Sequence, residues 1–403
     1  LISMLGKTIR KDFPIFQRSI NGKRLVYLDN AATTPVAREV LEAMLPYLNE
    51  KFGNASSLHA WGREAREAME KAREIIAKKL NVSPNEVIFT SGGTESNNFA
   101  LKGIAFANKE KGKHIVTQKT EHACVLQTCK WLESIGFEVT YLDVDEYGMV
   151  SPEDVANAIR KDTILVSVMH ANNEIGTVQP IEEIAKICKE HGVYFHTDAC
   201  QSFTKLELDA ERIGADLITV SSHKIYGPKG VGALIVREGV RITPFMHGGG
   251  HEFGKRSGTE NVAGIVGFGK AVEIANKRHV EHTKRMRDLL EKRILEEIQN
   301  VKLNGHPEER VCHIANFSFV GIEGEALLFR LDARGIACST GSACSSRKLE
   351  PSHVLRAIGL SPEHAHGSLR FSTGRQNTEE EINYAVDVLK EEVEALRRIS
   401  AIA

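Results

Sequence analysis

The 403-residue chain has no C-x-x-C pair, no G-x-G-x-x-G turn, no internal repeat and no apolar run near the ~18 residues that span a bilayer. Each absence removes a class of protein. Seven cysteines, an odd number, fall at 124, 129, 188, 200, 312, 338 and 344 without metal-ligand spacing. That argues against a zinc site or a thioredoxin-like centre, and most of them read as small buried hydrophobes. Charge of one sign is missing too: 52 basic and 53 acidic side chains leave a formal net charge of −1, so no nucleic acid or polyanion partner is expected. Leu1 to Lys11 lack the apolar core of a secretory signal, so the expected location is cytoplasmic, with no membrane contact.

What is present is strand–helix alternation. Val87–Phe89, Ile115–Val116, Val139–Leu142, Ile164–Val168, Val193–Phe195 and Leu217–Val220 read as buried strands. Helical patterns at Ser96–Lys109, Ala123–Ser134, Pro152–Arg160 and Ile181–His191 separate them. The pattern predicts a mainly parallel sheet covered on both faces, with ligands gathered at the carboxyl ends of its strands. Pro35–Glu50 and Gly62–Leu80 read as helices before the sheet. A charged helical stretch from Asn261 to Gln299 leads into a second, smaller domain that ends in the helix Glu379–Arg398. The expected division is a large domain over 28–265 and a small one made of 1–27 and 266–403.

Four features follow one another along the sheet. Phe89 to Glu95 pass from a strand through Gly92-Gly93 into a helix, a turn whose exposed N–H groups suit one phosphate. An ordinary tight turn is the competing reading. His122 opens a helix, where it is either a cap or a ring stacked on a planar cofactor. Asp198 ends a strand, either as a structural cap or as a carboxylate that keeps a ring nitrogen protonated. Lys224 lies between the run Leu217–Val220 and the turn Gly227-Pro228, with a second apolar run, Val231–Val236, beyond. Taken alone it is an exposed lysine. In combination with the other three it is an amine placed for Schiff-base chemistry, which points to pyridoxal phosphate.

Seven motifs then carry a resemblance. Asp29–Thr34, Ser91–Glu95, His170–Gly176, Ser222–Gly230, Arg256–Thr259, Gly341–Cys344 and Leu369–Ser372 stand in the order found in cysteine desulfurases of the NifS/IscS type. The likeness runs from about Leu28 to Glu380, while Asp12–Ile15 resembles the opening of the SufS-type branch.

The resemblance implies an α/β fold of the aspartate aminotransferase type (fold type I of the pyridoxal-phosphate enzymes), with a large mainly parallel-sheet domain, a smaller α+β domain and a homodimer. It implies that Lys224 carries pyridoxal phosphate, Asp198 faces its ring nitrogen, His122 stacks on the ring and Gln201 meets the ring hydroxyl. Gly93, Thr94, Ser221 and His223 are implied at the phosphate, with Thr259 reaching it from the partner subunit. Asn30, Asn173 and Arg370 are implied on the substrate side, where an arginine's planar fork matches a carboxylate.

Cys344, in the small polar stretch Ser339–Ser346, is implied as the nucleophile that takes sulfur from L-cysteine and becomes a persulfide, leaving L-alanine. Cys338 reads as structural. Expected acceptors are an iron–sulfur scaffold protein or a tRNA-thiolation protein. The only metal role entertained is Cys344 as a transient cluster ligand. A selenocysteine lyase and an aminotransferase of the same fold are the rival activities.

Overall fold

The structure is a computed structural model that describes residues 5–20, 22–340 and 351–399. Seven strands make the main sheet: β1 (Val87–Thr90), β2 (His114–Gln118), β3 (Glu138–Leu142), β4 (Thr163–Ser167), β5 (Tyr194–Asp198), β6 (Leu217–Ser221) and β7 (Gly232–Val236). Their spatial order is β1-β7-β6-β5-β4-β2-β3. The pairs from β6 through β3 are parallel, as the alternation predicts. β7 differs: it runs antiparallel to both β6 and β1, since the short link after Lys224 leaves no room for a crossover helix.

Period-two patterning explains why both faces are covered. Val87, Phe89, Ile218, Val220, Ala233 and Ile235 enter one hydrophobic cluster. Their neighbours Ile88, Leu217, Leu234 and Val236 enter another on the opposite face. The first face is closed by α1 (Ala60–Leu80), α4 (Ile181–Glu190) and α5 (Val262–Ile274), which supply Met69, Ile76, Ile184 and Phe268. The second is closed by α2 (Gly93–Asn108) and α3 (Ala123–Ser134), through Phe99, Ile104, Val125 and Leu132.

A separate cluster sits on a three-stranded antiparallel sheet, β8 (Val301–Asn304), β9 (Ile314–Phe319) and β10 (Ser368–Ser372). Against it pack the helix Gly324–Ala333, α6 (Lys277–Glu297) and α7 (Glu379–Ile399), burying Met286, Leu290, Leu331, Leu389 and Val393. The N-terminal segment joins this body by the parallel pairing of Val26–Tyr27 with Ile336–Ala337.

Two expected helices are broken. The stretch from Asn261 to Gln299 is α5 and α6, separated at Ala275-Asn276, because Asn276 leaves the helical region and caps α6 by accepting from the His279 N–H. The stretch from Pro35 to Glu50 is Arg38–Met44 followed by Pro46–Asn49, since Pro46 has no N–H to continue the first helix. Among the described residues no helix is long and apolar enough to cross a membrane.

Candidate active site

β1 delivers the glycine turn. Gly92 sits at φ 147°, a backbone that side-chain-bearing residues avoid, and it starts α2. A Cβ on Gly93 would lie 2.7 Å from Cys200 Sγ, so the turn packs tightly against the residue that follows Asp198 by two. Glu95 closes the turn, accepting from the Ser91 N–H at 2.8 Å and from Arg256 Nε at 2.7 Å. The amides of Gly93, Thr94 and Glu95 then have no acceptor among the described residues, as expected for a helix N-terminus. Opposite them stands Ser221 at the end of β6, its buried Oγ also without a partner.

Asp198 ends β5, the strand next to β6. Its carboxylate accepts from Asn97 Nδ2 at 2.7 Å and from the Cys200 N–H at 2.9 Å. Asn97 is buried on α2 and gave no signal in the sequence, because its partner lies far away in the chain. His122 caps α3: its Nδ1 accepts from the Cys124 N–H at 3.2 Å, so the ring proton belongs on Nε2. Burial holds His122 below the usual imidazole range, with Asp198 pulling the other way.

Lys224 closes the 3₁₀ turn Ser222–Lys224 directly after β6. Its ammonium donates to the Ala31 and Ala32 carbonyls. Burial, with help from the Arg370 charge, pushes its pKa down to about 8. Gln201 links the same wall to the small sheet, donating to Ala31 O at 2.9 Å while its Oε1 meets His313 Nε2 at 2.9 Å. His223 meets Thr33 Oγ1 at 3.1 Å, and burial pushes its pKa down to about 4, so its ring is neutral.

The opposite wall comes from β10. Arg370 Nη2 donates to Asp29 Oδ1 at 2.9 Å and Nη1 to the Asn173 carbonyl at 2.7 Å. Its Nε is buried without a partner among the described residues. Asp29, which the sequence reading left without a role, is what orients this guanidinium. The Asn173 side chain is half-buried nearby. Asn30 is engaged within the protein: its amide donates to Ser372 O at 2.9 Å and accepts from Gln376 Nε2 at 2.9 Å. Thr94 and Thr259 are exposed, and Thr259 lies in a hollow with Ser91 and Arg256 of its own chain.

Cys344 lies outside the described residues, but the segments flanking it reach this wall. Ser339 and Arg370 exchange backbone hydrogen bonds. On the far side, Ser352 Oγ donates to the Glu174 carboxylate, and His353 Nε2 meets Glu121 O at 2.8 Å. Cys338 is half-buried, and burial pushes its thiol up. Among the described residues no group of three or more His, Cys, Asp or Glu is arranged to hold a metal ion.

An anion cradle of unpaired amides and hydroxyl, a carboxylate fixed by two donors and a buried low-pKa amine fit pyridoxal phosphate. Comparison with known proteins agrees: residues 26–385 match the aminotransferase class-V family, and the chain belongs to it. Members of this family depend on pyridoxal phosphate.

Within the family, the chain is similar to the cysteine desulfurase IscS of Dictyoglomus turgidum, 55% identical over 94% of this chain and 97% of that one. It is similarly close to the cysteine desulfurase IscS of Methanosarcina thermophila, at 54% identity over 94% of each. Among solved structures, a NifS-like protein superposes with a TM-score of 0.87 at 40% identity, covering 92% of this chain and all of that one. The structure of SspA in complex with cysteine superposes with a TM-score of 0.78 at 41% identity, covering 87% of this chain and 99% of that one.

Proposed function

We infer that this chain is a pyridoxal-phosphate-dependent cysteine desulfurase, which takes sulfur from L-cysteine and releases L-alanine. The observation that carries the reading is the meeting of Lys224, Asp198 and His122 with the Asp29-held Arg370 across one cleft. The bound cofactor supplies an electron sink for the substrate's Cα carbanion.

The residues divide the remaining work. The free amides of Gly93, Thr94 and Glu95, with Ser221 Oγ, hold the phosphate, and His223 stands beside them as a neutral ring. Asp198, fixed by Asn97 and the Cys200 N–H, keeps the ring nitrogen protonated. Gln201 retains a donor for the ring hydroxyl, and Thr259 is assigned to the partner subunit's phosphate. Arg370 and the Asn173 side chain hold the substrate carboxylate, with Asn30 as a positioning residue. A pKa near 8 lets Lys224 Nζ shed its proton and act as a base on the substrate Cα. His122 Nε2 is the proton partner of the substrate thiol.

Cys344 Sγ then bonds to the substrate sulfur as the Cβ–S bond breaks. The carbon keeps the electron pair, takes up a proton and leaves as alanine, and Cys344 keeps the persulfide. Chain reach supports this role: Ser339 is bonded to Arg370, and five residues extend up to about 17 Å.

The sulfur acceptor is assigned as an iron–sulfur scaffold or another persulfide acceptor, in the cytoplasm. A homodimer is supported by the exposed apolar run Leu41, Leu45, Leu48, Phe52, Leu58 and Trp61. The division into a large body over 28–265 and a small one made of 1–27 and 266–403 is proposed with its second border moved to the α5–α6 break, since α5 runs across residue 265 and packs on the core of the large sheet. The test of the function is Cys344→Ser with radiolabelled cysteine. The variant should bind substrate yet form no protein persulfide; a persulfide formed at the wild-type level would remove Cys344 from the reaction.

A further inference from the structure

Beside the Lys224 turn lies a cavity that reaches the helix break at Ala275-Asn276, with Asp198, His122 and the glycine turn outside its lining. Its volume is about 50 Å³. At roughly 10–15 Å³ for each small heavy atom or water, that holds about three to five of them.

Two cations face it, and neither has an acid partner among the described residues. Arg375 is 5% exposed, forms no ion pair among the described residues, and has a buried Nε without a partner. Its guanidinium stacks on Tyr226, 4.1 Å from the ring centroid. Stacking occupies the face of the group and leaves its in-plane N–H donors free. Lys205 Nζ donates to the Lys224 carbonyl at 3.1 Å, and its other two protons have no acceptor among the described residues. Burial pushes its pKa down to about 8, as expected of an ammonium taken from water without a counter-charge. Glu39 and Asp12 bear on Arg375 only from beyond ion-pair distance. Buried cations left unpaired in this way are costly, and an anion is what relieves them.

The rest of the lining decides which anion. Ile225, Ala271, Ala275 and Val280 are apolar, four threonines, Cys312 and His313 stand among them, and Asn276 and His279 lie at the helix break. A planar two-oxygen head matches the Arg375 edge, and a stub of one or two carbons suits the apolar wall. We propose that this cavity is a binding site for a small monocarboxylate of two or three carbons, held between Arg375 and Lys205 and separate from the substrate site. Lys224, Asn30 and His313 are shared by the two, and Lys205 joins the cavity to the Lys224 main chain.

Calorimetric titration of the holoenzyme with acetate and with propionate, at constant ionic strength set by chloride, tests it. One saturable site is expected, weakened about ten- to a hundredfold by Lys205→Met and by Arg375→Gln, as for loss of one charged hydrogen-bonding partner. Ala275→Leu, which narrows the cavity without altering charge, should also weaken binding, and it decides the matter if Arg375→Gln does not fold. Absence of saturable heat with wild type, unchanged affinity in Lys205→Met, or tighter binding of inorganic phosphate than of acetate would each overturn the proposal.

Discussion

The two walls of the cleft are built differently. The Lys224 wall stands on neighbouring parallel strands of one sheet, so Asp198 and Ser221 emerge from β5 and β6 at the same edge. In the other wall only Arg370 stands in a sheet, on β10 beside β9. Asp29, Asn173 and Ser339 come to it from three distant segments, through an ion pair, one hydrogen bond and a two-bond backbone bridge. Strand exits set positions through the whole sheet ladder, whereas a gathered wall depends on each contact. The first wall suits a group that stays bound; the second suits one that arrives and leaves.

The largest expected effect strikes the Lys224 wall. Lys224→Ala should cut turnover by at least about 10⁴-fold and abolish the visible absorbance of the lysine-bound cofactor. An unchanged spectrum would deny this wall its role. A smaller effect is expected opposite: Arg370→Ala should raise KM for cysteine roughly thirty- to a hundredfold in alanine-release assays, with kcat much less affected. A changed melting temperature with an unaltered KM would make Arg370 scaffold only, and the contrast between the walls would fail.

The smallest effect concerns the buried acid next to His122. Glu121 is fully buried, its Oε1 accepts from the Met169 N–H at 2.6 Å and from Gln118 Nε2, and burial raises its pKa from 4.5 to about 8. The native chain therefore keeps a proton that the unfolded chain releases above pH 4.5, so this group costs stability as pH rises from about 4.5 to 8. Glu121→Gln has no such proton, so its melting temperature relative to wild type should climb through that window and level off above it. A difference independent of pH would mean that Glu121 is ionised throughout.

Much of the Lys224 wall was legible because strand exits and glycine turns leave marks in a sequence. Asp198 and Lys224 each follow an apolar run, and the runs say where the sheet edge is. The direction of β7 was not legible, since the apolar run Val231–Val236 reads alike in either sense. Nor was the α5–α6 break, which rests on one asparagine in a long helical pattern. Asn97 and His313 escaped notice, and Asp29 had a motif but no role, for another reason: each acts on a residue about a hundred or more positions away, and only the packed chain brings them together.

The order of strands also bears on the time course of assembly. β1, which leads into the glycine turn, touches the sheet only through β7. A growing chain that has emerged as far as Lys224 has β5 and β6 available to pair, yet offers β1 no partner. The anion cradle is thus completed by one of the longest-range pairings in the sheet, a late event in folding. Cofactor capture is expected to follow closure of the sheet, so that a partly made chain is not yet primed for chemistry.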